Sequence, residues 1–203
     1  MDYKPEPLLE NCVYHIYNRG NNGINIFFDR QNYYYFLKLY KQYITPVAET
    51  YAWCLIENHF HLLVLIKDKS QIEKGSLEYS TVTYPKIIDA SKQFSHFFNA
   101  YTQAINTRYG RTGSLFEKPF KRKHVTPQCL RKLIYYIHHN PVHHGLVKHP
   151  VDYAWSSYGL ILSARPAIIC TELILKTFGS KECFINFHLR RQNLTEIHNF
   201  ILE

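Results

Sequence analysis

The sequence predicts an α+β fold of the ferredoxin-like kind, an antiparallel sheet with helices packed on it, carrying a C-terminal extension. Two observations point there. β-Branched and aromatic segments alternate with segments whose apolar residues recur at helical spacing, in the order strand, helix, strands, helix, strand, helix. The composition, 46% hydrophobic and 20% charged over 203 residues, is enough to bury one core and excludes a disordered or membrane-spanning chain. The expected division is one domain over residues 1–160 and an extension of unassigned role over 161–203.

Val13 to Asn18 is aromatic and β-branched and runs into Arg19-Gly20-Asn21-Asn22-Gly23, which gives a first strand and a loop. Asp29 is placed to cap a first helix, whose stripe of Tyr33, Phe36, Leu37, Tyr40 and Ile44 ends before Pro46. Thr50 to Ile66 is almost continuously apolar except at Glu57, Asn58, His59 and His61, so it reads as two strands or one long, bent strand in a covered sheet. Lys67 to Thr83 has no clear periodicity and reads as loop.

A second helix is expected from Pro85 to Tyr109, burying Ile87, Ile88, Ser91, Phe94, Phe98, Tyr101 and Ile105, with Gly110 as its C-cap. Leu115 to Val125 is a basic strand or extended segment. Thr126-Pro127 then opens a third helix with the core stripe Leu130, Leu133, Ile134 and Ile137. Pro141 is expected to end it near His139 or Asn140, because proline disfavours helical geometry in the residue before it. Beyond Trp155-Ser156-Ser157-Tyr158 the helical periodicity is patchy.

Lys and Arg outnumber Asp and Glu by 24 to 16, a net charge of +8 that favours an anionic partner, nucleic acid first. Basic residues concentrate at Arg108, Arg111, Lys118, Lys121, Arg122 and Lys123, against Glu117 alone and interleaved with Tyr109, Phe116 and Phe120. Such a segment suits phosphates and unpaired bases better than base-edge readout, and a solvated charged face is its bland alternative. Cys12, Cys54, Cys129, Cys170 and Cys183 form an odd set without a CxxC pair, which argues against a disulfide framework and a zinc knuckle. With no signal peptide or bilayer-spanning stretch in view, the expectation is a cytoplasmic protein with free thiols and no membrane partner.

Two pairs of residues could carry chemistry. His59 and His61, two apart on a strand, share a face and can converge on one metal ion while Phe60 points into the opposite layer, although such pairs also occur in proteins without metal. Tyr136 and Asn140, four apart on the third helix, fall on the shoulder of its core stripe, whereas Tyr135 falls on the far side as a solvated tyrosine. A boundary tyrosine and an asparagine that satisfies a helix end are the structural alternatives.

Several blocks of the chain resemble the single-tyrosine HUH transposases of bacterial insertion sequences, in particular their REP-associated tyrosine transposase branch. They are Tyr14-His15-Ile16-Tyr17-Asn18-Arg19-Gly20, Asn58-His59-Phe60-His61-Leu62-Leu63-Val64, Arg111-Thr112-Gly113-Ser114-Leu115-Phe116, Tyr136-Ile137-His138-His139-Asn140-Pro141-Val142, His144-Gly145-Leu146-Val147 and Trp155-Ser156-Ser157-Tyr158. They stand in family order and cover roughly Val13 to Tyr158. The resemblance implies that His59 and His61 bind a divalent metal, Mg²⁺ or Mn²⁺, that Asn140 is a further ligand, and that Tyr136 is the nucleophile. It also implies a single-stranded or hairpin DNA substrate, cut and rejoined through a 5′-phosphotyrosine, by a monomer or a homodimer. Glu57 departs from the pattern, since many relatives have proline there, and it offers an extra carboxylate near the metal. Two alternatives are a non-catalytic nucleic-acid-binding module of the same fold and a metal-dependent nuclease in which water attacks.

Overall fold

β1 (Val13–Arg19), β2 (Ala48–Ile56), β3 (His59–Ile66) and β4 (Lys121–Val125) form one antiparallel sheet in the order β2-β3-β1-β4. The structure is a computed structural model that describes residues 7–72, 88–117, 119–163 and 168–201. Helix α1 (Arg30–Tyr43) links β1 to β2, and α2 (Ala90–Tyr109) precedes β4. Then come α3 (Pro127–His143), α4 (Tyr158–Ser163), α5 (Thr171–Phe178) and α6 (Lys181–Leu189). Strand order and helix placement are those of the expected ferredoxin-like α+β fold. The apolar run from Thr50 to Ile66 is two strands, turned at Glu57-Asn58.

The period of two along the strands assigns each face its cover. Phe60 points one way, its ring centroid 5.4 Å from Phe36 of α1 and 5.3 Å from Phe98 of α2. These two helices close that face over an aromatic core of Phe36, Phe94, Phe97 and Tyr101, all essentially inaccessible. His15, Tyr17, His59 and His61 point the other way, and α3 lies over them, Tyr136 meeting His61 edge-on at 5.5 Å.

Helix ends follow local chemistry. At α1 the Asp29 carboxylate accepts from the Asn32 amide while the Asn32 side chain accepts from Asp29, a reciprocal capping box. Helix α2 begins at Ala90, not at the expected Pro85, because Asp89 captures the Lys92 amide at 2.8 Å; Pro85 and Ile87 lie outside the described residues. Pro141 does not end α3. It removes one bond of the ladder, yet the last turn is closed behind it by Leu146 N–H to the Pro141 carbonyl (2.9 Å) and Gly145 N–H to Val142 (3.0 Å), with Gly145 at φ 68°. Within the expected basic strand or extended segment, the strand among the described residues is Lys121–Val125, with Phe116 bridging singly to Gly20. Gly20 is required there, since a Cβ would run into the Ile24 carbonyl oxygen.

The C-terminal segment builds the second layer over α3. Trp155 and Ser157 pair with Leu55 and Trp53 at 2.9 Å and cover the β2 edge, while Ile174, Phe184 and Ile197 are fully buried in the common core. Tyr135, expected at the surface, is therefore only 6% exposed, stacked on His139 at 3.8 Å with Phe187 at its edge.

A chain of hydrogen bonds ties this layer down with its protons determined. The Phe184 carbonyl can only accept, so His188 Nδ1–H donates to it at 2.8 Å, leaving Nε2 to accept His138 Nδ1–H at 3.0 Å. His138 Nε2 then accepts the Ser157 hydroxyl at 2.8 Å, and Ser157 Oγ accepts Trp53 N–H at 3.0 Å. Both rings are neutral in this arrangement. Burial holds His188 down to about 3 and His138 well below the usual imidazole range.

Burial likewise lowers His15 to about 3 and His59 and His139 to about 4. These rings accept protons in the unfolded chain near their ordinary value but not in the native one, so their contribution to stability is complete above about pH 6.5 and is lost as pH falls towards 4. Each ring withdraws about 1.4 kcal/mol per pH unit across that window. The thermal midpoint should be flat near neutrality and fall steeply below about pH 6. A midpoint unchanged down to about pH 5 would show that these rings are not buried as neutral species.

Candidate active site

Asn58 fixes the tautomer of His59. Its Oδ1 lies 2.7 Å from His59 Nδ1, and a carboxamide oxygen only accepts, so Nδ1 carries the proton and the neutral ring leaves Nε2 bare. That bare nitrogen faces Asn140 Oδ1 at 3.0 Å, lone pair towards lone pair. A proton, a metal ion or a half-turn of the Asn140 carboxamide, which would let Nδ2–H donate to this nitrogen, each relieves the contact. Burial pulls the ring down to about 4 against the opposing pull of the Asn140 oxygen, so at neutral pH the proton is absent. His61 Nε2 is buried and has no hydrogen-bond partner among the described residues, while its Nδ1 is 2.9 Å from His15 Nε2.

The donors brought together are two imidazole nitrogens and one amide oxygen, a set that fits a divalent ion. Among the described residues no three His, Cys, Asp or Glu side chains converge as a ligand group, and the third donor here is an amide. Asn140 also reaches the tyrosine, donating through Nδ2 to Tyr136 Oη at 3.3 Å. Tyr136 and Asn140 are 3% and 2% exposed, so they lie inside the contact between α3 and the sheet, deeper than the shoulder position expected for them. The exposed His143 and His144 border them, with ring centroids 5.9 Å from Tyr136 and 4.9 Å from His59.

Glu57 does not join this set. It is exposed in the β2–β3 turn, and its charge acts on Tyr33 and Tyr153, the Tyr33 phenol being pushed up to about 12 by burial first and Glu57 second.

Strand alternation divides the basic segment between the two faces of the sheet. Lys121 and Lys123 stand opposite Tyr17 and His15 on the histidine face, with Lys123 Nζ 5.7 Å from the Tyr17 ring centroid. Arg122 points to the other face, over Phe120 at 4.1 Å, at the wall of a cleft of about 650 Å³ that Asn18, Asn99 and Thr102 help to line. Arg108 is held by Asp29 at 2.8 Å and Gln31 at 2.9 Å, clamping the end of α2 to the start of α1. Lys121 pairs with Glu117 at 3.1 Å, Arg111 follows the α2 cap, and Lys118 lies outside the described residues. A smaller cleft, about 450 Å³, lies between Tyr135 and His143 of α3 and residues Arg191 to Leu194.

Sequence reasoning assigned no role to His15 or Asn58, the two groups that touch Nδ1 of the paired histidines. The signal for His15 was present in β1, where apolar Tyr14 and Ile16 alternate with His15 and Tyr17.

No family model matches the chain, and no curated protein does. Among solved structures, a REP-associated tyrosine transposase bound to a REP hairpin aligns with a TM-score of 0.56 at 15% identity, over 84% of this chain and 90% of that one. The two chains share a fold. Two structures of a bacterial tRNA(His) guanylyltransferase-like protein, with GTP and with ATP, align at TM-scores of 0.39 and 0.40 and 10% identity. They cover 64% and 66% of this chain, against 62% and 59% of their own. The ferredoxin-like architecture expected from the sequence is thus present in the chain and in the transposase neighbour. No helix among the described residues is long and apolar enough to cross a membrane.

The buried place of Tyr135 can be checked directly. Tyr135→Ala should cost about 3 kcal/mol in urea unfolding by opening a hole between α3 and α6, whereas Tyr135→Phe should cost about 1 kcal/mol or less. An alanine variant as stable as the parent would return Tyr135 to the surface.

Proposed function

We propose that the chain cuts and rejoins single-stranded or hairpin DNA, with Tyr136 as nucleophile and a divalent cation held by His59, His61 and Asn140. The observation that carries this reading is the convergence of Tyr136 Oη, the Asn140 amide and two bare or unpartnered imidazole nitrogens on one sheet face. The shared fold with a transposase whose structure holds a REP hairpin supports the substrate class.

A phenol with an ordinary pKa near about 10 is a poor nucleophile at neutral pH. The Asn140 Nδ2–H donated to Oη stabilises the phenolate as it forms, and the same amide turns its oxygen to His59, so one side chain aligns both halves of the site. His59 Nε2, His61 Nε2 and Asn140 Oδ1 would hold the divalent ion, which would supply Lewis acidity towards a phosphate oxygen; the mixed nitrogen and oxygen donors suit Mn²⁺ and admit Mg²⁺. The Tyr136 Oη–P bond forms as the P–O3′ bond breaks; the phenol gives up a proton and the departing 3′ oxygen takes one. The phosphotyrosine conserves the ester, so a second 3′-OH can reverse the step and join a new strand without ATP. Lys121 and Lys123, on the same face, are placed to meet backbone phosphates.

The burial of Tyr136 favours one competing reading, a metal-dependent nuclease in which water attacks and the tyrosine is structural. Covalent trapping separates the two. With labelled single-stranded DNA and Mn²⁺, the parent protein should yield a protein–DNA adduct that survives denaturing electrophoresis. Tyr136→Phe should abolish it, Tyr135→Phe should retain it, and His59→Ala/His61→Ala should lose it while remaining folded. Cleavage without an adduct would favour the nuclease; an adduct in Tyr136→Phe would place the nucleophile elsewhere.

Replacing Lys121 and Lys123 with glutamine should weaken binding to every DNA sequence by about tenfold and lower the salt dependence by about 2 in slope. A change confined to sequence preference would contradict a phosphate role.

A further inference from the structure

His61 is held in place by a second imidazole. His15 Nε2 stands 2.9 Å from His61 Nδ1, both rings are fully buried, and their planes are 18° apart. The antiparallel register sets Tyr17 opposite His61, so His15, two residues earlier on the same face, reaches the ring diagonally.

A hydrogen bond between two imidazoles needs one N–H and one bare nitrogen. The outer nitrogens, His15 Nδ1 and His61 Nε2, have no hydrogen-bond partner among the described residues. Two neutral arrangements satisfy these conditions. If His15 donates, His61 Nε2 carries an unaccepted proton and is closed to a cation. If His61 donates, its Nε2 keeps the lone pair, and the orphaned N–H moves to His15 Nδ1, on the ring that stacks with Tyr17 at 4.8 Å. Each arrangement leaves one buried N–H unpaired, so neither is favoured by hydrogen-bond count alone. A cation at Nε2 selects the second.

We propose that His15 is a positioning residue for the cation site, accepting Nδ1–H from His61 and so fixing the tautomer and ring orientation in which Nε2 is a ligand. The inference rests on the cation site proposed above. His59 has the matching device, because Asn58 Oδ1 accepts its Nδ1–H at 2.7 Å. Both histidines thereby present Nε2, each oriented by an acceptor behind it, which is how protein frameworks commonly tune imidazole ligands. A neutral acceptor suits the position behind His61: it adds no negative charge to a fully buried pocket.

The test compares His15→Met with His15→Gln, two unbranched side chains of similar size of which only glutamine can accept the Nδ1–H. Mn²⁺ alone is the probe, its affinity read by calorimetry and by electron paramagnetic resonance on the purified full chain. His15→Met should weaken Mn²⁺ binding by about 10–100-fold, while His15→Gln should restore most of it. At saturating Mn²⁺ the DNA adduct of the Met variant should recover, since what is lost is ion affinity. Unchanged Mn²⁺ affinity in His15→Met, or equal weakening in both variants with equal loss of thermal stability, overturns the role of His15 and leaves the cation site standing. Failure of the parent protein to bind Mn²⁺, with adduct formation persisting in chelator, overturns the cation site and this inference with it.

Discussion

The contact between α3 and the polar face of the sheet governs most of what is distinctive in this chain. A sheet face bearing His15, Tyr17, His59 and His61 is a poor partner for a helix unless every polar atom is met, because an unmet buried donor or acceptor costs about 1–3 kcal/mol. Helix α3 answers with Asn140 and Tyr136, and then turns His138 and His139 to a second layer made by the C-terminal segment. Where that second layer packs, the accounting closes: the His138, His188 and Ser157 chain satisfies its donors with neutral rings. Under α3 it does not close, since His59 Nε2 meets another acceptor and His61 Nε2 meets none among the described residues. Two histidine clusters of similar burial thus differ in kind, one a structural tie with its hydrogen bonds met and the other a set of ring nitrogens whose hydrogen bonds are not.

Much of the fold was legible because its signals are local. The strand alternation of β1, the capping box at Asp29 and the stripe of α2 each lie within a few residues of sequence, and each element formed close to its expected place. The errors also have local causes with distant cures. Pro141 reads as a helix breaker, but the Gly145 motif closes the turn behind it. Helical rotation alone turns Tyr135 away from the core stripe, and it is the layer containing Phe187 that buries it. At the site, the pairs at fixed spacing were readable, His59 with His61 and Tyr136 with Asn140. The groups that set their protonation were not, because His15 and His61 meet only through strand register.

The basic segment shows how one composition signal can divide into separate physical roles. With the order β2-β3-β1-β4, β4 is an edge strand, and an edge must be kept from pairing with other chains. The β2 edge is covered by Trp155 and Ser157, whereas β4 carries Lys121, Arg122 and Lys123 in succession. Charge on an edge strand is sufficient to discourage edge-to-edge association, so those three residues have a reason to be basic even in a protein that binds nothing. Direction separates the roles. Arg122 is stacked on Phe120 and donates to Ser91 on the α2 side, and Arg108 serves as a clamp between helices. Lys123 instead lies beside Tyr17 and His15, on the face that carries Tyr136. The pleat of a single strand thus sends neighbouring cations to opposite faces of the sheet, Lys123 to the face of Tyr136 and Arg122 to the face of α2, so adjacency in the sequence does not make them one patch.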